Sequence, residues 1–109
     1  MLEEQKIKLL IVDDNKEFCN LVVEFFENQK DIRVVGVAHD GLEALEKIDQ
    51  LAPEVLILDL IMPNLDGLGV IERLSHKTER PKIVVLSAVG QDKITQKAIT
   101  LGADYYIVK

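Results

Sequence analysis

Five side chains in this sequence could do chemistry together: the acid pair Asp13–Asp14, the acid Asp59, the hydroxyl of Ser87 and the amine of Lys109. Each stands at the end of an apolar run. Asp59 is the oddest of them, because it cuts the stretch LILDLIMPNLDG, Leu56 to Gly67, where a buried strand runs into turn formers. A carboxylate at such a place costs solvation energy unless something there needs it. Three carboxylates gathered in one cleft repel and raise one another's pKa unless a cation is present. Carboxylate oxygen with backbone carbonyl and water is the coordination that Mg²⁺ takes, and Mn²⁺ or Ca²⁺ could substitute for it.

A carboxylate beside Mg²⁺ and a lysine is equipped for phosphoryl transfer. Metal and ammonium neutralise the incoming phosphoryl oxygens, while Asp59 attacks phosphorus as a nucleophile. Ser87 could then hydrogen-bond an oxygen of the installed group. Each piece alone has a plainer reading. An Asp pair after a strand caps a helix, an Asp before a turn shapes the turn, and a lone Ser or Lys at a strand end lies on the surface. Only their arrival at one place sets them apart from these plainer roles.

The elements that must bring them there alternate, five strands to four helices. KIKLLIV, ending at Val12, is the first strand. A helix follows with Phe18, Leu21, Val22, Phe25 and Phe26 on one face and Asp14 or Asn15 as its cap. IRVVGVA is the second strand, and the next helix, after Asp40 and Gly41, turns Leu42, Leu45 and Ile48 inward. EVLILD is the third strand. Leu68, Ile71 and Leu74 mark a third helix capped by Asp66. PKIVVLSA is the fourth strand, and Ile94, Ala98 and Leu101 define a helix closing at Gly102. ADYYIVK is the fifth. Such alternation predicts right-handed crossovers and an α/β, doubly wound parallel sheet covered on both faces. In these sheets the working site lies beyond the carboxyl ends of the strands. Asp13 and Asp14, Asp59, Ser87 and Lys109 end the first, third, fourth and fifth strands there. His39 and Asp40 end the second, which as a lateral strand should hold them away from the centre.

The 109 residues suit one domain, with 48% hydrophobic and 29% charged residues as in an ordinary globule. With 13 basic against 19 acidic residues, net −6, the chain is a poor match for nucleic-acid phosphates, and direct binding is not expected. No apolar run could span a bilayer, and MLEEQKIK is too charged for a signal peptide. One cysteine, Cys19, allows no internal disulfide, so the cytoplasm is the expected compartment and Cys19 is read as structural. His39 and His76 have no metal-ligand companions in the sequence and read as surface or loop residues.

DD after the first strand, D-x-x-x-P after the third, SA after the fourth and K closing the fifth resemble the receiver domain of bacterial response regulators, across essentially the whole chain. The resemblance implies the CheY- and flavodoxin-like sheet, strand order 2-1-3-4-5. It implies Asp59 as phosphoacceptor, Asp14 binding Mg²⁺ directly, Asp13 binding it through water, and the Ile61 carbonyl completing the protein ligands. Ser87 would be the switch hydroxyl, Lys109 the phosphate-binding lysine, and Tyr106 the aromatic that turns inward with the hydroxyl. Implied partners are a sensor histidine kinase or histidine phosphotransferase docking near Asn15, Lys16 and Phe18, and a second copy through the fourth helix and fifth strand. More narrowly, IMPNLDGLGVIERL, LSAVGQDKITQKAITLGA and DYYIVK are similar to receivers of sporulation regulators of endospore-forming Bacillota, which control a C-terminal DNA-binding domain. Complete receivers continue into a fifth helix, absent after Lys109. A truncated receiver over 1–109 is therefore expected, with apolar surface left exposed and less stability than an extended chain.

Two further positions bear on the lifetime of the phosphoryl group. Ile61 lies two residues after Asp59, and Val89 two after Ser87. Hydrolysis needs a water aligned for in-line attack, and apolar side chains cannot hold one, so slow autodephosphorylation is expected. Ordinary enzymatic turnover is not. A haloacid-dehalogenase-type phosphatase would need an acid where Ile61 stands. A flavodoxin-like cofactor binder would need a Ser-, Thr- or Gly-rich loop where VDDNKE stands. The remaining alternative is a pseudo-receiver, a binding module of the same fold that takes no phosphate.

Overall fold

In the computed structural model, which describes residues 6–109, five strands and four helices alternate. They are β1 (Ile7–Val12), α1 (Lys16–Glu27), β2 (Ile32–Ala38), α2 (Gly41–Leu51), β3 (Val55–Asp59), α3 (Gly67–Leu74), β4 (Lys82–Ser87), α4 (Asp92–Leu101) and β5 (Tyr105–Val108). The strands form one parallel sheet in the order β2-β1-β3-β4-β5, as expected. The order reverses direction at β1 and β3, which places the crevice between the two strands that end in acids.

Alternation along the central strands splits the core in two. Leu10, Val12, Leu56, Leu58, Ile83 and Val85 face α2, α3 and α4 through Ala44, Ile48, Val70, Ile71, Leu74 and Ala98. Leu9, Ile11, Val55 and Ile57 face α1 through Cys19, Val22, Val23 and Phe26.

The helix starts follow their capping chemistry. The side chains of Asn15, Asp40 and Asp66 accept from the N–H groups of Phe18, Glu43 and Gly69. Gly102, at φ 129°, ends α4. The α4 start has no side-chain cap.

Several inward faces differ from the sequence reading. In α1 the fully buried residue is Cys19, whereas Leu21 and Phe25 are 64% and 62% exposed. The apolar stripe is wider than the sheet contact, so its far edge turns outward. In α2, Leu42 is exposed for the same reason, whereas Gly41, Ala44 and Ile48 are buried. Leu101 at the end of α4 is also more than a third exposed. All four residues of β5, an edge strand, are exposed.

The register between β1 and β2 steps by one residue at Leu9/Leu10, so Leu9 faces Val34 and Leu10 faces Gly36. Val35 is the extra residue, and Val12 ends up opposite Ala38.

Candidate functional site

The carboxyl ends of β1 and β3 bring three acids together. Asp13, Asp14 and Asp59 can each present one carboxylate oxygen such that all three lie within 4.8 Å of one another. Asp13 directly follows β1 and is wholly buried; Asp14, one residue on, is exposed. Asp59 is the last residue of β3, its side chain 13% exposed. Gly67 starts α3 directly against it: a Cβ there would sit 2.6 Å from the Asp59 carbonyl oxygen. Only glycine lets the helix approach that closely.

Lys109 lies just past β5 and reaches across the sheet edge. Its backbone N–H donates to the Ser87 carbonyl, aligning it with the end of β4. The ammonium pairs with both acids, donating to Asp13 Oδ2 at 2.7 Å and standing 3.9 Å from Asp59 Oδ2. The physical reason for the shorter contact is burial: Asp13 has no access to solvent and so has most to gain from a counter-ion. Phe18 supports the same ammonium with its ring face, 4.6 Å from Nζ to centroid. The other oxygen of Asp13 accepts from the Asn15 N–H at 2.9 Å.

The electrostatics are those of a crowded anionic cleft. Burial, followed by the negative charge of Asp13, raises the pKa of Asp59 above its ordinary value, against the opposing pull of Lys109 and a hydrogen bond from the Ile61 backbone. For Lys109 burial works against the charged form. The Asp13 hydrogen bond and the charges of Asp59, Asp13 and Asp14 outweigh it, holding the ammonium above its usual range.

A cation among these oxygens would relieve that repulsion. The donor set, all hard oxygen, fits a divalent ion of the Mg²⁺ class. Both Asp13 oxygens are already hydrogen-bonded, whereas Asp14 is open to solvent. That division suits direct contact by Asp14 and a looser role for Asp13.

The remaining positions fall around this centre. Ser87 is buried at the end of β4. Tyr106 faces outward, bordering with Ser87, Val89, Thr95 and Val108 a cleft of about 950 Å³ between α4 and β5. Ile61 and Val89 are 53% and 90% exposed.

The second strand does not hold its end residues away, as the sequence reading had it. His39 is half-buried, with Nδ1 3.0 Å from the Asp13 carbonyl oxygen, and Asp40 accepts from the Asn64 side chain in the loop after β3. Cys19, read as structural, is buried with its Sγ 3.3 Å from the same Asp13 oxygen. A side-chain contact to a backbone oxygen leaves no mark on sequence periodicity, which is why the His39 contact was not foreseen. His76 stays exposed.

The profile of the response regulator receiver domain matches residues 9–109. The response regulator domain of Thermotoga maritima CheB is 34% identical, with 95% of this chain and 78% of that one covered at a TM-score of 0.88. The REC domain of AraT, a response regulator from Geobacillus stearothermophilus, is 33% identical over 94% of this chain and 81% of its own, TM-score 0.84. A chain of the CheX–CheY–BeF₃–Mg²⁺ complex from Borrelia burgdorferi shares the fold at 22% identity, TM-score 0.85, over 100% of this chain and 87% of its own. Sheet order, strand-end chemistry and sequence thus lead to one assignment: the chain belongs to the response regulator receiver domains.

Proposed function

We propose that this receiver accepts a phosphoryl group on Asp59, with a divalent cation, Mg²⁺ above all, held by Asp14, Asp59, the Ile61 carbonyl and, through water, Asp13. The observation that carries this reading is the meeting of three carboxylates within 4.8 Å, with the Lys109 ammonium beside two of them. When bound, the cation supplies positive charge to the phosphoryl oxygens. The chain's own residues do the rest. An Asp59 oxygen forms the new bond to phosphorus as the bond to the donor's leaving group breaks. Lys109 exchanges its contact with Asp13 for one with the arriving oxyanion. The Ser87 hydroxyl then donates to a phosphoryl oxygen, and Tyr106 moves into the space beside α4. Self-phosphorylation and slow self-dephosphorylation are the only chemistry proposed; there is no turnover of a diffusible substrate.

In the cell, the donor is a sensor histidine kinase or a histidine phosphotransferase in the cytoplasm, and the altered α4–β5 face pairs with a second copy. The likeness of Ile61–Leu74, Leu86–Ala103 and Asp104–Lys109 to the receiver of stage 0 sporulation protein A supports a role in governing a sporulation transcription factor. DNA contact falls to a segment outside this acidic chain. Among the described residues no helix is long and apolar enough to cross a membrane.

Intact-mass spectrometry after incubation with acetyl phosphate tests the chemistry. We expect a gain of one phosphoryl group that needs Mg²⁺ and vanishes in Asp59→Asn. No gain under any condition would sink it and favour a binding module that takes no phosphate.

A further inference from the structure

His39 and Asp40 adjoin at the exit of β2, and each reaches a different wall of the acidic cluster. The His39 Nδ1 lies 3.0 Å from the Asp13 carbonyl oxygen. A carbonyl oxygen only accepts, so Nδ1 carries the proton and donates it. On the other side of the same residue, the Asp13 N–H donates to Ala38 at 3.0 Å. Asp13 is thereby gripped at both its N–H and its carbonyl oxygen by the strand beside it. The register step in β2 makes this possible. Without it, Ala38 would stand opposite Asp13; with it, Ala38 stands opposite Val12 and His39 beside Asp13.

Asp40 holds the other wall. One of its oxygens caps α2 by accepting from the Glu43 N–H at 2.8 Å. The second accepts from Asn64 Nδ2 at 2.7 Å. Asn64 has a left-handed backbone, φ 67°, and sits at the bend of the loop that carries Ile61. Gly41 closes the junction: a Cβ on it would come within 2.0 Å of the Leu65 carbonyl oxygen.

We infer that His39 and Asp40 are positioning residues for the cation, His39 fixing the Asp13–Asp14 peptide and Asp40 fixing, through Asn64, the loop that carries Ile61. The inference rests on the proposal that the acidic cluster binds Mg²⁺, and adds which residues set its affinity. Neither residue touches the ion. Each fixes a segment that carries ligands, and such outer partners set how much a site must reorganise on binding.

The test is calorimetric titration with MgCl₂ of the unsubstituted chain and three variants. His39→Leu removes the donor while filling its space. His39→Asn keeps an N–H donor where Nδ1 stands. Asn64→Gly removes the amide while tolerating the left-handed backbone. Urea unfolding in EDTA identifies the temperature range in which every variant is folded, and the titrations are run there. We expect His39→Leu and Asn64→Gly each to bind Mg²⁺ about tenfold more weakly, and His39→Asn to stay near the unsubstituted affinity. Unsubstituted affinity in either His39→Leu or Asn64→Gly would overturn the inference, as would equal losses in His39→Leu and His39→Asn. Absence of saturable binding by the unsubstituted chain would instead overturn the metal proposal, and the inference with it.

Discussion

Asp59→Asn should make the metal-free chain more stable, although it removes a group that stands near a lysine. At an effective dielectric of about 20, the Lys109 ammonium 3.9 Å away attracts an ionised Asp59 by about 4 kcal/mol. An Asp13 oxygen within 4.8 Å repels it by about 3.5 kcal/mol or more at the same dielectric, and Asp14 adds to the repulsion. Attraction and repulsion nearly offset each other, so the cost of burial decides the sign. The raised pKa of Asp59, with burial as its largest cause, points the same way. Asparagine keeps the shape and removes the charge, for an expected gain of about 1 kcal/mol near neutral pH.

The pH dependence follows from the direction of the shift. A carboxyl whose folded-state pKa lies above 3.8 binds its proton more tightly folded than unfolded. Its ionised form therefore penalises the fold in full above the raised value. The penalty shrinks as pH falls through that value, and it is absent below 3.8. Urea unfolding in EDTA should show the variant ahead near neutral pH, with the gap closing across that window. Saturating Mg²⁺ should reverse the order, because a ligand that binds only the native state stabilises the chain that binds it better. A variant less stable than its parent in EDTA near neutral pH would refute the electrostatic reasoning.

Other expectations concern separate parts of the molecule. Gly41→Ala forces a Cβ to within 2.0 Å of a backbone oxygen and should cost about 3 kcal/mol in urea unfolding; a loss under about 0.5 kcal/mol would mean the α2 start shifts freely. Cys19 is buried, and burial followed by the charge of Asp13 pushes its thiol up to about 11. A thiol reagent should thus label the native chain slowly and the urea-unfolded chain at once; fast native labelling would contradict that placement. Ile61→Asn and Val89→Glu put polar groups at exposed positions on the loops after β3 and β4. Each should shorten the phosphoryl lifetime about tenfold, read as loss of phosphorylated mass over time, and an unchanged decay rate in both would remove water positioning from the account.

The five strands were legible because each is an apolar run bounded by turn formers, a pattern that helices of this length do not share; their order in the sheet came from the resemblance to receiver domains. The cap Asp66 and the closing Gly102 were legible, and Asn15 as one of two candidates with Asp14, for the same local reason: their side chain, or its absence, acts on the adjacent backbone. The acids and the lysine could be placed together because strand ends in a doubly wound sheet converge by topology.

What was not legible depends on register and on contacts between distant segments. The one-residue step opposite Leu9 and Leu10 brings His39 to Asp13, and nothing in IRVVGVA announces it. Lys109 could be assigned to the cleft, but its choice of Asp13 over Asp59 depends on relative burial. The Phe18 ring beneath that ammonium is 91 positions away in sequence. In α1, apolar periodicity overstated the buried face, since Leu21 and Phe25 belong to the stripe and not to the contact with the sheet.

Chemistry specific to acyl phosphates can locate the phosphoryl group and so decide whether Asp59 is the acceptor. The chain would be incubated with acetyl phosphate and Mg²⁺, reduced with borohydride, digested and sequenced by mass spectrometry. Reduction converts an aspartyl phosphate to homoserine. Homoserine is expected at position 59, dependent on Mg²⁺, with Asp13 and Asp14 unmodified. Homoserine at either of those positions, or a stable phosphate ester on Ser87 with Asp59 untouched, would contradict that assignment.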